Sequence, residues 1–121
     1  MKNILCLFLM SLFFVNCNSQ DEVKSISTIE LKVLLDKGNI QLIDVRTSKE
    51  IKQGFIETAK FINYFDDDFY TLATKQLDKS KPVYLYCRSG NRSGKSAKIL
   101  QDKGYEVYNV SGGYNKWKQE N

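Results

Sequence analysis

The strongest constraint in the sequence is a set of short, almost uninterrupted apolar runs, each too brief for a helix and each followed by a helical signal. Ile40-Gln41-Leu42-Ile43-Asp44-Val45 is the clearest of them. A strand wetted on one face alternates apolar and polar residues. One this continuously apolar and β-branched reads as covered on both faces, which implies a parallel sheet sandwiched between helices. Lys81-Pro82-Val83-Tyr84-Leu85-Tyr86 and residues 105–110 also read as strands, and residues 59–64 are a shorter candidate. The single proline stands at the first positions of its strand, where no ladder hydrogen bond is lost.

Helical signals fill the intervals. Ser27-Thr28-Ile29-Glu30 has the form of a capping box and opens a helix that Gly38 stops. Residues 48–53 form a shorter helical turn ending at Gly54. Asp66, Asp67 and Asp68 place negative charge at the start of a helix reaching about residue 77, where the helix dipole favours it, and such a run reads as a helix start rather than a metal site. Residues 93–103 have helical composition, with Ala97, Ile99 and Leu100 on one side and Gly104 as the stop. The last helix, residues 114–118, follows Gly112-Gly113. Strands alternating with helices over this length define an α/β class with helices on both faces of a mainly parallel sheet, and ligand sites in such folds lie at the carboxyl ends of the strands. There are no repeats, no low-complexity tracts and no second domain.

The first residues stand apart from this pattern. Lys2 is followed by an uncharged apolar stretch over residues 4–15, too short to span a bilayer and matching the apolar region of an export signal. Cys17 follows that stretch directly and precedes the polar run Asn18-Ser19-Gln20-Asp21-Glu22, an arrangement that resembles a bacterial lipoprotein signal, although Asn16 occupies a position where a small residue is usual. The chain then divides into a signal at 1–16, a lipidated Cys17 with a polar tether to residue 24, and a folded domain at 25–121. The expected location is the periplasmic or cell-envelope side of a bacterial membrane, held there by a lipid on Cys17. Loss of Lys2 takes the formal charge from +4 to about +3, and the remaining charges are mixed in sign, so nucleic-acid binding is not expected.

The cysteines carry the next inference. Cys6 and Cys17 fall within or at the end of the signal, which leaves Cys87 as the one cysteine of the domain and excludes a disulfide inside it. A lone thiol exposed to an oxidising compartment points to reactive use. The chain has no histidine, which removes His-ligated metal sites and the Ser-His and Cys-His dyads together; neither a metal nor a cofactor is expected. Cys87-Arg88-Ser89-Gly90-Asn91-Arg92-Ser93 lies between a buried strand and a helix, where backbone N–H groups can curl around the sulfur with the positive end of the helix behind them. A thiol with a pKa of about 8.5 is only about 3% ionised at neutral pH. Lowering it by roughly two units, about 2.7 kcal/mol of differential interaction, makes most of it nucleophilic with no separate base. Of eighteen lysines and arginines only three are arginines, and Arg46, Arg88 and Arg92 all fall at predicted strand ends. Arginine confined to such places suggests bidentate bonding to carboxylates or oxyanions. Arg46 also fits a purely structural ion network with Asp44 and Glu50, whereas Arg88 is the better candidate for substrate contact.

Asp44-Val45-Arg46, the Cys87 to Ser93 loop, and Gly112-Gly113-Tyr114-Asn115-Lys116-Trp117 together resemble a single-domain rhodanese, over about residues 25–118. The resemblance implies a five-stranded parallel α/β fold with helices on both faces. It also implies a sulfurtransferase in which Cys87 takes a sulfane sulfur from an anionic donor such as thiosulfate, becomes a persulfide, and passes the sulfur to a thiol or cyanide-like acceptor. By position in the motif, Arg88, Ser89, Gly90, Asn91, Arg92 and Ser93 line the sulfur cradle, Arg88 favours the anionic donor, and Arg92 bonds Asp44 to fix the loop with the help of Arg46. Phosphatases and arsenate reductases of similar fold place seven residues from cysteine to arginine. Here Cys87 to Arg92 is six, a smaller cradle. Where Gly-His-Ile-x-Gly-Ala is common in the family, this chain reads Gly54-Phe55-Ile56-Glu57-Thr58-Ala59, so Phe55 replaces a framework histidine and bears on local packing. Tyr114 and Trp117 read as core or docking residues. Two other readings stand beside the enzyme: a noncatalytic docking or regulatory module, and an exported thiol that senses oxidation or carries sulfur to one protein partner.

Overall fold

The computed structural model describes residues 22–121. Met1 to Asn16, Cys6 and the lipidation candidate Cys17 lie outside the described residues, as does the tether as far as Asp21. Ten elements follow one another: β1 (Lys24–Ile26), α1 (Thr28–Lys37), β2 (Gln41–Asp44), α2 (Ser48–Ile51), β3 (Lys60–Phe61), α3 (Phe69–Gln76), β4 (Val83–Tyr86), α4 (Asn91–Asp102), β5 (Val107–Val110) and α5 (Gly113–Glu120). The strands form one sheet in the order β1-β5-β4-β2-β3, and every pairing is parallel.

The apolar runs become the central strands. In β2, Ile43 and Leu42 are both buried but face opposite ways. Ile43 joins Val83, Leu85, Ala97 and Leu100 beneath α3 and α4, while Leu42 joins Leu31, Tyr86 and Val110 beneath α1 and α5. Each such side chain contributes roughly 1.5–3 kcal/mol by leaving water, which is why only strands covered on both faces read as continuous apolar runs. The Ser27 capping box forms as the sequence predicts: its hydroxyl accepts from the Glu30 N–H while Glu30 accepts from the Ser27 N–H.

The edges are less regular than the sequence suggests. β1 is a three-residue edge strand with a polar pattern that gives no apolar signal, and Lys24, assigned above to the tether, pairs with Tyr108. β3 shrinks from the expected 59–64 to two exposed residues, because only Lys60 and Phe61 hold ladder register; Ile62 and Tyr64 continue as single bonds to the Asp44 and Val45 carbonyls. α3 begins after the three aspartates, with Asp68 at its N-cap but no side-chain cap bond. In α4 the buried side is Ser93, Ser96, Ala97 and Leu100, and Ile99 is 37% exposed, contrary to the sequence reading. The helix is phased to bring Ser93 to the loop rather than Ile99 to the core, and Ser96 satisfies its hydroxyl on the Arg92 carbonyl at 2.9 Å.

Candidate functional site

Cys87 follows the last residue of β4, at the carboxyl end of the parallel sheet, where the chain turns from strand to helix. Gly90 makes that turn with φ of +111°, a conformation glycine adopts without penalty, and α4 begins at the next residue. The turn brings the Gly90 N–H to 3.1 Å from the Cys87 Sγ, and the first turn of α4 brings the Ser93 Oγ to 3.3 Å. Cys87 is only 1% exposed. Burial pushes its thiol pKa up, but the Ser93 hydroxyl and the amides of Ser93, Gly90 and Ser89 outweigh that, and the thiol lies below its ordinary value.

The loop is held from behind by α5. The N–H groups of Tyr114 and Asn115, at the start of that helix, donate to the Cys87 and Arg88 carbonyls at 2.8 and 3.0 Å. This approach requires glycine at 113, since a Cβ there would lie 2.5 Å from the Cys87 carbonyl oxygen. The Gly112-Gly113 pair thus serves a backbone-to-backbone clamp on the Cys87 loop.

The arginines divide the labour differently from the sequence expectation. Arg92 bonds Glu50, not Asp44, through two N–H···O contacts of 2.8 Å, and this pairing pulls the Glu50 carboxyl from 4.5 down to about 2. Asp44 is already saturated. Its carboxylate takes the Arg46 Nε at 2.9 Å, an Arg46 terminal nitrogen at 2.7 Å and the Arg46 backbone N–H at 3.0 Å, all in full burial. Arg46 also donates to the Gly54 carbonyl at 2.8 Å, with its guanidinium 4.4 Å from the Tyr114 ring centre and 5.6 Å from that of Tyr86. Asp44 and Arg46 therefore brace the segment that carries Tyr114, while Arg92 and Glu50 tie the start of α4 to α2.

Arg88 is exposed and makes no ion pair among the described residues. It lines a cavity of about 270 Å³ together with Arg46, Glu50, Tyr114, Asn115 and Lys118. Because Arg46 and Glu50 are paired with Asp44 and Arg92, the uncompensated charges on this cavity are the cations Arg88 and Lys118. Ser89 and Asn91 are exposed, Ser89 contributing its amide. Phe55 is 46% exposed and edge-on to Phe61 at 5.0 Å, while Tyr114 and Trp117 pack against the apolar cluster that contains Leu42. One residue the sequence reading missed is Asn109 of β5, whose side chain meets both Ser93 and Gly90. Its only sequence signal is a polar residue within the otherwise apolar and aromatic run Val107-Tyr108-Asn109-Val110.

Residues 27–120 match the Rhodanese-like domain family. The chain belongs to that family. Among its relatives, this rhodanese-like protein is 37% identical to YtwF of Bacillus subtilis over 100 residues, 82% of this chain and 94% of that one. It is 33% identical to the thiosulfate sulfurtransferase GlpE of Coxiella burnetii over 96 residues, covering 78% of this chain and 87% of GlpE. A crystal structure of a rhodanese-like domain protein from Staphylococcus aureus superposes with a TM-score of 0.71 at 36% identity, over 78% of this chain and 91% of that one. The rhodanese-like fold, a five-stranded parallel sheet with helices on both faces, is as the sequence predicts.

Proposed function

We propose that this rhodanese-like protein is a sulfurtransferase working through a persulfide on Cys87. The observation that carries the proposal is the environment of Sγ: a buried sulfur with an N–H at 3.1 Å and a hydroxyl at 3.3 Å, its pKa held down by such donors against its burial. The thiolate attacks the outer sulfur of an anionic donor such as thiosulfate. The donor's S–S bond breaks, sulfite leaves with the electron pair, and the outer sulfur stays on Cys87. A thiol or cyanide-like acceptor then attacks that outer sulfur and returns Cys87 as the thiolate, a good leaving group for the reason it was a good nucleophile. Arg88, with Lys118 beside it, supplies the positive charge that draws an anionic donor to the mouth of the loop. The reaction needs neither metal nor cofactor.

We also propose that the domain works outside the cytoplasm, carried on a lipid attached to Cys17; the support is the apolar stretch at 4–15 and the polar run after Cys17. The catalytic reading is tested by thiocyanate formation from thiosulfate and cyanide. Cys87→Ser lowers turnover at least about a thousandfold with thermal unfolding unchanged. Turnover retained by the variant contradicts the mechanism.

A further inference from the structure

Asn109 stands on β5, the strand beside the one that delivers Cys87, at the register position opposite Leu85. Its amide reaches the reactive loop at two points: Nδ2 lies 3.0 Å from the Gly90 carbonyl oxygen and Oδ1 lies 2.6 Å from the Ser93 Oγ. Valence then fixes the protons. A carbonyl only accepts, so the NH2 group faces Gly90. The Oδ1 consequently faces Ser93 and, as an acceptor, takes the single hydroxyl proton. Ser93 Oγ is also the atom 3.3 Å from the Cys87 Sγ, and one proton cannot serve both. Space for the amide comes from Gly94 of α4, where a Cβ would approach Nδ2 to 3.2 Å. Glycine is unfavourable inside a helix relative to alanine, and here it leaves the room that the Asn109 amide occupies.

We propose that Asn109 and Cys87 compete for the Ser93 hydroxyl proton, and that Asn109 is a positioning residue which holds that proton whenever Sγ carries no charge. With a neutral thiol, S–H donates to Ser93 and Ser93 donates to Asn109. When the thiol ionises, that donor is lost and the hydroxyl turns to the thiolate, leaving Oδ1 without its donor. In the persulfide the charge sits on the outer sulfur and the hydroxyl returns to Asn109. As an acceptor removes the outer sulfur, the S–S electron pair falls on Sγ and the hydroxyl swings back to meet it. The charged groups around the loop are Arg88 on the loop itself, Arg92 of α4 with its partner Glu50 of α2, and Asp44 at the end of β2 with Arg46 just after it; none of them is altered by the substitutions below, of which only Asn109→Asp adds a charge.

The proposal rests on Cys87 being the sulfur nucleophile, but its test does not require sulfur transfer. The rate of iodoacetamide alkylation of the full chain is followed against pH at the Cys87 peptide by mass spectrometry. Ser93→Ala removes the hydroxyl donor and moves the midpoint up by about one pH unit. Asn109→Leu removes the competitor and moves it down by about half a unit, and makes no difference in the Ser93→Ala background. Asn109→Asp, a stronger acceptor, moves it up, by less in that background. It also lacks the Gly90 contact, as Leu does, and its charge repels the thiolate with or without Ser93, so the dependence of each shift on Ser93 separates proton competition from loop support and from charge, and either variant alone keeps the test decisive. An Asn109→Leu midpoint that rises or stays put, or an Asn109→Asp rise of equal size with and without Ser93, overturns the proposal.

Discussion

At the scale of residues, the surroundings of the Cys87 sulfur are set by groups of two kinds. Backbone N–H groups and one hydroxyl act on it directly, and buried ion pairs hold the elements that carry those donors. Cys87, Gly90 and Ser93, expected together from the sequence, do lie together, because a turn of a few residues after a strand fixes their proximity locally. The sequence does not place Arg92, because the partner of a long side chain depends on which carboxylate remains free, and Asp44 is already closed by Arg46 two residues away. Asn109 cannot be placed from the sequence for a related reason: its partners lie sixteen and nineteen residues earlier, and only the β4–β5 pairing brings them together. The Arg92–Glu50 pair has a pH signature. Glu50 is held near a pKa of about 2 against an ordinary 4.5, so the stability it contributes is complete above about 4.5 and is lost as pH falls toward 2. Glu50→Gln therefore lowers stability at pH 7 by on the order of 1 kcal/mol, allowing for solvent screening of a partly exposed pair, and the gap narrows at pH 3. Urea midpoints of both proteins at the two pH values check this; a gap that does not change with pH contradicts it.

At the scale of elements, the central strands are legible and the edges are not. Burial on two faces writes β2 and β4 into the sequence as apolar runs, whereas β1 and β3 are short, polar and wet, with only backbone pairing to define them. The connection before β3 holds a second departure from the family pattern. Thr58 has φ of +74°, the one described non-glycine residue with positive φ, at the place where the pattern quoted above has glycine. A β-branched residue is strained in this left-handed region, and nothing in the structure explains why threonine is kept there. Thr58→Gly is expected to stabilise the domain by about 1 kcal/mol, the relief of strain being partly offset by the greater freedom of glycine in the unfolded chain. Thermal unfolding checks the sign, and a lower melting temperature contradicts it.

At the scale of the whole molecule, a parallel sheet collects its strand ends on one side, and that side carries Cys87, its amide donors, the α5 clamp and the cationic cavity around Arg88 and Lys118. A site of this kind rests on a scaffold and a loop, and the family was readable from three short motifs, the Asp44–Arg46 pair among them, while the Arg92–Glu50 pair and Asn109 were not. The proposed anchor makes a separate prediction: Cys17→Ser moves the protein from the membrane to the soluble fraction with sulfur transfer preserved, and a variant that still sediments with membranes contradicts the anchor alone. The central claim is that Cys87 holds sulfur. Intact-mass spectrometry of the reduced chain after incubation with thiosulfate, with Cys87→Ser alongside, tests it directly. A gain of about 32 Da that cyanide clears and the variant lacks is the predicted result; no gain while Cys87 is free, or the same gain in the variant, would contradict it.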